Sequence, residues 1–122
     1  MGIIIKELTK RYGQQLALDK VSFAINKGEI VGLLGPNGAG KSTLMKCITN
    51  AINPDLGEVL IDDISVLKHP EVTKSKIGFL QENNPLYMDM YVKEYLQFVA
   101  NLRQISPSKI EEIIDRVGLS PE

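Results

Sequence analysis

The hydrophobic pattern of the first part of the chain is that of short strands. Apolar and polar residues alternate over Ala17–Ile25, and Ile3–Thr9 and Glu58–Ile61 are also predicted to be strands. Two further runs, Glu29–Leu34 and Lys76–Leu80, are apolar on both faces. Such a run is typical of a strand buried between helices.

Helical spacing marks the other segments. A helix is predicted over Ser42–Ile48, and Pro70 begins a shorter one. In the last third, four residues recur at helical spacing: Tyr91, Tyr95, Phe98 and Leu102. A second apolar stripe begins after Ser106-Pro107, a typical helix start, and ends at Gly118. Strands followed by helices, with strand–loop–helix units between them, predict an α/β fold.

The composition is that of an ordinary globular protein. The chain has 122 residues, with 14 Lys and Arg against 15 Asp and Glu and a formal net charge of -1. Its 43% hydrophobic and 24% charged residues exclude a disordered tail, a collagen-like chain and a disulfide scaffold. Because the charge is nearly balanced, no basic nucleic-acid-binding face is expected.

The sequence predicts neither a targeting segment nor a membrane span. The start, Met1–Lys6, lacks the basic region and the longer apolar stretch of a signal peptide. The apolar runs are far shorter than the about 20 residues that a transmembrane helix needs. We therefore expect a cytoplasmic protein, with its single cysteine, Cys47, buried on a helix face and His69 exposed in the turn before Pro70.

The strongest motif is Gly35-Pro36-Asn37-Gly38-Ala39-Gly40-Lys41-Ser42, a full match to G-x-x-x-x-G-K-[ST]. Its glycines permit a positive φ and close approach of the backbone, so that successive N–H groups converge on phosphate oxygens. Pro36 has no N–H, so the donors come from Asn37 onward. Lys41 brings an ammonium to the β and γ phosphates, and Ser42 offers a hydroxyl to Mg²⁺. The motif predicts a nucleotide-binding loop at the start of a helix.

With Thr43 added, this loop resembles that of the ATP-binding subunits of ABC transporters. The resemblance covers nearly the whole chain and is carried by further stretches: Leu8–Gly13, Ala17–Phe23, Gly28–Ile30 and Pro54–Val59. It implies a P-loop NTPase core with an N-terminal antiparallel β subdomain over about 1–85, and the start of a helical subdomain over about 86–122. ATP and Mg²⁺ are the implied ligands, with Gly35–Thr43 around the phosphates.

The resemblance also implies roles for residues outside the loop. Tyr12 stacks on the adenine ring, an interaction worth roughly 1–3 kcal/mol; on its own, a Tyr beside a Gly is ordinary turn chemistry. Within Ile77–Glu82, Gln81 stands where relatives have Pro, and Glu82 stands where they have a Gln that helps hold Mg²⁺. Since a carboxylate oxygen serves Mg²⁺ as well as an amide oxygen does, Glu82 is favoured over Gln81. Lys41 and Glu82 are the implied catalytic residues.

The stretch Asn84–Leu96 resembles subunits associated with bacterial gliding motility and, more loosely, the ATPases of exporters with separate membrane subunits. In the family this region faces the membrane subunits. The candidates for that contact precede the predicted helix: Pro85, Leu86, Tyr87 and Met88. Three aromatic residues are instead expected in the core of the helical part: Tyr91, Tyr95 and Phe98.

The implied function is that of an ATP-binding subunit of an ABC transporter, in which ATP binding and hydrolysis drive transport. Its expected partners are a transmembrane permease subunit and a second nucleotide-binding domain. Its expected location is the cytoplasmic face of the membrane, held there through the permease.

The later motifs of the family are not in this sequence: the Leu-Ser-Gly-Gly-Gln-type signature, the strand ending in Asp, the Glu after it and the switch His. We therefore expect the N-terminal half of a nucleotide-binding domain, with weak or no ATP hydrolysis by these 122 residues alone. Three alternatives remain: a soluble, non-transport ABC ATPase, an unrelated P-loop protein such as a GTPase, and a truncated chain that folds poorly. A GTPase would need an Asn-Lys-x-Asp motif, which the sequence lacks.

Overall fold

The computed structural model describes residues 2–36, 38 and 40–120, which divide into one unit ending at Phe79 and another beginning at Leu80. The strands and helices of the first unit are, in chain order, β1 (Ile3–Tyr12), β2 (Gln15–Ile25), α1 (Lys41–Ile48), β3 (Leu56–Ile61), β4 (Ile64–Ser65) and α2 (Pro70–Ser75). Those of the second are α3 (Val92–Arg103) and α4 (Ser108–Arg116). The subdomain division expected near residue 85 stays a prediction.

The first unit is built on a four-stranded antiparallel sheet in the order β2-β1-β3-β4. A two-residue turn joins β1 to β2, so that Tyr12 pairs with Gln15. Gly13 in this turn has a φ of 60°, which glycine adopts without steric cost. The predicted strands Ile3–Thr9 and Ala17–Ile25 are confirmed, and both extend further towards the turn than the sequence indicated.

The hydrophobic core of the first unit, as far as the structure describes it, lies between the sheet and α1. Its buried side chains come from the strands, from the residue after β4 and from α1: Ile5, Leu8, Leu18, Leu44, Cys47, Ile48, Val59, Ile61 and Val66. Burying one of the larger aliphatic side chains contributes roughly 1.5–3 kcal/mol. Leu44, Cys47 and Ile48 lie at helical spacing on one face of α1, and the helix packs against β2. This packing fixes the start of α1 beside the hairpin.

Several local predictions in the first unit are confirmed. The helix predicted over Ser42–Ile48 is α1, which begins one residue earlier. The short helix begins at Pro70, and His69 before it is exposed. Cys47 is buried on the inner face of α1.

The strands predicted over Glu29–Leu34 and Lys76–Leu80 are not formed, since both segments have irregular backbone. Ile30 is fully exposed and Leu34 is 93% exposed, the opposite of the burial predicted for them. A strand that is apolar on both faces needs hydrogen-bonded neighbours and covering helices. In the described part of the chain, no strand pairs with either segment. The apolar pattern was therefore insufficient to form a strand here.

In the second unit, α3 and α4 pack against each other. Ala100 of α3 and Ile110 of α4 are buried there, and Lys93 forms an ion pair with Glu111. The helix predicted to start at Ser106-Pro107 begins at Ser108, one residue later than expected. Among the residues that the structure describes, no helix has the length and apolar character needed to cross a bilayer.

The aromatic residues of the second unit are arranged differently from the prediction. Tyr91 is 80% exposed and lies just before α3, where its N–H donates to the Glu94 carboxylate at 3.2 Å, so its predicted place in the core is wrong. Tyr95 is half-buried and Phe98 is 38% exposed. The Tyr87 ring packs edge-on against the Phe98 ring, with 5.7 Å between the ring centres. The centre of the Tyr95 ring lies 6.5 Å from that of Tyr87. Helical spacing identified one side of α3 but not where the helix begins.

Candidate nucleotide-binding site

The loop that leads into α1 contains two glycines in the left-handed region. Gly38 has a φ of 85° and Gly40 a φ of 93°. Gly40 is the residue just before α1, and its carbonyl accepts the N–H of Leu44 at 2.9 Å. The first N–H groups of a helix have no partner within it, and they carry the positive end of the helix dipole. No acidic side chain lies within the described first turn of α1 to neutralise that end.

The Lys41 side chain folds back over this loop. Its ammonium donates to the main-chain carbonyl of Gly35 and, at 3.2 Å, to that of Pro36. These oxygens carry only partial negative charge, and hydrogen bonds to a charged acceptor are stronger. The ammonium is therefore placed where a full negative charge entering the loop would attract it.

The loop, the start of α1 and the β1–β2 hairpin line one cleft of about 330 Å³. Its lining residues are Tyr12, Gln15, Ala17, Gly38, Gly40, Lys41, Ser42 and Thr43. This volume lies at the lower end of the range of about 300–1,000 Å³ found for small-molecule sites. The structure thus brings Tyr12 to the same cleft as most of the predicted phosphate-loop residues. Tyr12 lies far from that loop in the sequence.

Not all of the predicted site residues are among the described lining residues of this cleft. Gly35 and Pro36 are connected to it through their contacts with Lys41. Asn37 and Ala39 lie outside the described residues. Two more, Gln81 and Glu82, are exposed residues of the second unit. The Mg²⁺ contact predicted for them stays a prediction.

Two residues that the sequence did not single out lie near Tyr12 at the end of β1: Lys10, which belongs to β1, and Asp55, which does not. The Lys10 ammonium lies 5.5 Å from the centre of the Tyr12 ring, and the Asp55 carboxylate lies 3.7 Å from that ammonium. Asp55 also accepts the Arg11 N–H at 2.7 Å and donates its own N–H to the Thr9 carbonyl at 2.8 Å. The i, i+2 spacing of Lys10 and Tyr12 on a strand could have indicated their contact. No local pattern indicates Asp55, because the sheet brings it to β1.

The same charges act on the cysteine of α1. Burial raises the pKa of the Cys47 thiol above its ordinary value of 9.0, because the thiolate would lose its hydration. Lys10 opposes this rise in the pKa, and Asp55 adds to it. Cys47 is therefore a protonated, buried residue at neutral pH and not a reactive thiolate.

The site has the features of a P-loop type of nucleotide-binding domain: left-handed glycines before a helix, a lysine over the loop and an aromatic residue in the same cleft. Comparison with known proteins leads to the same class. The profile of the ABC transporter family matches residues 18–122. The spermidine/putrescine import ATP-binding protein PotA of Protochlamydia amoebophila (strain UWE25) is 34% identical over 116 residues, which cover 95% of this chain and 31% of that protein.

Solved structures of the family have the same fold. An ATP-binding subunit of an ABC transporter superimposes with a TM-score of 0.81 at 30% identity, covering 92% of this chain and 47% of the other. The dimeric, post-hydrolysis cassette MJ0796, bound to ADP and Pi, superimposes with a TM-score of 0.71 at 29% identity, covering 83% and 47%. This chain thus spans about a third of the length of the PotA protein and about half of each cassette.

The chain belongs to the ABC transporter family, and it corresponds to the ATP-binding component. The predicted family and the predicted fold class are confirmed, with an antiparallel sheet and a few helices forming part of the ABC ATPase domain. The finer resemblance to gliding-motility subunits is not supported by these relatives.

Proposed function

We propose that this chain is the nucleotide-binding portion of an ABC transporter ATPase subunit, in which binding and hydrolysis of MgATP drive a membrane partner. The observation that carries the proposal is that Tyr12, Gly38, Gly40 and Lys41 line the same cleft. A left-handed loop, an unopposed helix N-terminus and a lysine suit a polyphosphate, and the aromatic ring suits a nucleobase.

In this proposal the loop Gly35–Thr43 holds the phosphates of ATP. Main-chain N–H groups from Asn37 onward donate to the phosphate oxygens, since Pro36 has no N–H to donate. Lys41 exchanges its contacts with two loop carbonyls for contacts with the β and γ phosphates. Hydrogen bonds of charged groups contribute about 1.5–3 kcal/mol, and the ammonium is attracted more strongly by a charged phosphate oxygen than by a neutral carbonyl oxygen.

The Tyr12 ring holds the adenine by stacking. It ends β1 at the rim of the cleft and is 46% exposed, so part of the ring is accessible to a base. Stacking of this kind contributes roughly 1–3 kcal/mol and does not depend on which base is bound.

Mg²⁺ accompanies ATP in this proposal, where it neutralises charge on the phosphates. The Ser42 hydroxyl in the first turn of α1 is an oxygen donor of the hard type that Mg²⁺ prefers. The described residues contain no cluster of three His, Cys, Asp or Glu side chains that could hold a metal. The Ser42 hydroxyl without such a cluster fits an ion that binds mainly through substrate phosphates and retained waters. Glu82, rather than Gln81, supplies a further oxygen.

Hydrolysis requires the complete subunit. Lys41 and Glu82 contribute positioning and charge, which are the main part of phosphoryl-transfer catalysis. The sequence contains neither the Leu-Ser-Gly-Gly-Gln-type signature nor a switch His. Since the related cassette MJ0796 is dimeric, we include a second nucleotide-binding domain among the partners. A permease subunit is the other partner, and it holds the protein at the cytoplasmic face of the membrane.

Calorimetric titration with MgATP tests the proposal on the full-length protein and on its Lys41→Ala variant. We expect Lys41→Ala to weaken binding about tenfold to a hundredfold, the loss of one charged hydrogen-bonding group. Lys46→Ala is the matched control, because Lys46 lies on the same helix in the last turn. No binding by the unmodified protein, or equal losses in the two variants, would contradict the proposal.

A further inference from the structure

We propose that Lys10 and Asp55 are positioning residues that hold the Tyr12 ring ready to stack on a nucleobase. The pair would set the share of nucleotide affinity that comes from the base rather than from the phosphates. This inference rests on the proposed function, because it requires that Tyr12 stacks on the base.

The first observation is the position of the Lys10 ammonium on the Tyr12 ring. It lies 5.5 Å from the ring centre, within the distance of about 6 Å at which a cation is attracted to an aromatic face. Both side chains belong to β1 at i and i+2 and therefore point to the same side of the strand. Tyr12 lines the cleft, whereas Lys10 is not among its described lining residues. The cation thus holds the ring from outside the cleft.

The second observation is that Asp55 binds three successive residues of β1. Its N–H donates to the Thr9 carbonyl, its carboxylate lies 3.7 Å from the Lys10 ammonium, and the same carboxylate accepts the Arg11 N–H at 2.7 Å. Asp55 comes directly before β3, which pairs with β1. It therefore fixes both the backbone that leads to Tyr12 and the cation that contacts the ring.

This arrangement has a consequence for binding. Tyr12 lies next to a hairpin turn and is 46% exposed, so without a contact its ring could take several orientations. Binding that orders a free side chain is weakened by the entropy lost, and a ring held in advance avoids most of that loss. The Lys10 side chain is only 19% exposed, so it has itself few alternative positions.

The experiment compares two probes on the full-length protein by calorimetry: the Mg²⁺ complex of a non-hydrolysable imido analogue of ATP, and Mg²⁺-tripolyphosphate. We expect Lys10→Met to weaken the ATP analogue about twofold to fivefold, the range of an exposed cation–π contact, and to leave tripolyphosphate unchanged. Lys10→Arg, which keeps the cation, restores affinity for the analogue. Lys6→Met, on the same strand, is the control and changes neither affinity.

A double-mutant cycle separates positioning from a general effect on the protein. In a Tyr12→Ala background, Lys10→Met should have no further effect on the analogue, because there is no ring left to position. An equal effect in both backgrounds, or an equal loss for tripolyphosphate, would overturn the inference. Should Lys10→Met reduce the melting temperature, Asp55→Asn provides the same test, with Asp19→Asn as its control. Asp55→Asn keeps an acceptor for the Arg11 N–H but removes the charge next to Lys10.

The cycle also distinguishes this inference from the proposed function. If the unmodified protein binds neither probe, the proposed function fails. If it binds both, and Tyr12→Ala weakens only the analogue while Lys10→Met and Asp55→Asn change nothing, the function stands and the positioning role is wrong.

Discussion

A β-carbon on Gly40 would lie 2.4 Å from the carbonyl oxygen of Ala17 in β2. That is far closer than any side-chain carbon approaches a backbone oxygen, so the end of the phosphate loop touches the sheet directly. Gly40 also has a φ of 93°, which side-chain-bearing residues rarely adopt. Both space and conformation therefore require glycine at the residue just before α1.

We predict that Gly40→Ala destabilises the protein by at least about 2 kcal/mol, because a strained φ and a clash with backbone add together. The backbone cannot rotate away as a flexible side chain could. Urea unfolding measures the loss of stability. Titration of the folded fraction with Mg²⁺-tripolyphosphate measures the accompanying loss of affinity.

Gly38→Ala separates the two causes. Gly38 has a φ of 85°, close to that of Gly40, but a β-carbon there would meet none of the described atoms within 4 Å, its chain neighbours aside. We predict that this variant loses only about 1 kcal/mol, the cost of the strained φ alone. Equal unfolding free energies for the two variants would show that contact with β2 contributes nothing.

The stacking role of Tyr12 predicts a loss that depends on the base. Tyr12→Ala should weaken binding of the ATP analogue by roughly 1–3 kcal/mol and leave tripolyphosphate unaffected. Tyr12→Phe keeps the ring and should bind the analogue nearly as well as the unmodified protein. If tripolyphosphate binding falls as much as analogue binding, the adenine contact is not made by Tyr12.

The parts of the site that depend on neighbouring residues could be predicted from the sequence. The loop from Gly35 to Thr43 carries its own conformational requirements in its glycines and its own charge in Lys41. The contacts of Asp55 with β1 could not be predicted. They join residues 44 to 46 positions apart, and they exist because β3 pairs with β1 in one particular register.

The fold shows the same division between local and distant causes. The hairpin β1–β2 was predictable because alternation and turn residues lie together in the sequence. Glu29–Leu34 has the composition of a buried strand, but a strand needs neighbours, and none in the described residues pairs with it. Tyr91 has the spacing of a core residue, yet it precedes the first turn of α3 and is exposed.

The Mg²⁺ contact favoured for Glu82 gives a prediction for the second unit. Glu82→Ala should reduce about tenfold the gain in ATP-analogue affinity that Mg²⁺ produces, the effect of one charged contact. Gln81→Ala is the matched control and should reduce that gain much less. Affinities measured with and without Mg²⁺ provide the comparison, and the reverse order of the two variants would assign the contact to Gln81.

Cys47 predicts how stability depends on pH at the alkaline end. Burial raises its pKa in the folded protein above 9.0, the ordinary value, which also applies to the unfolded chain. The unfolded state therefore loses the thiol proton first, and ionisation favours unfolding. The contribution of the Cys47 thiol to the free energy of unfolding is fully present below about pH 9. It is lost as the pH rises through the raised pKa, at up to about 1.4 kcal/mol per pH unit.

The measurement is the free energy of unfolding in urea between pH 7 and pH 10.5, for the unmodified protein and for Cys47→Ala. The difference between the two proteins isolates the contribution of the thiol, because all other groups are common to both. We expect a constant difference up to about pH 9 and a narrowing difference above it, because only the unmodified protein has a thiol to ionise on unfolding. A difference that stays constant to pH 10.5 would mean that the Cys47 thiol has the same pKa in both states, and that its burial leaves its ionisation unchanged.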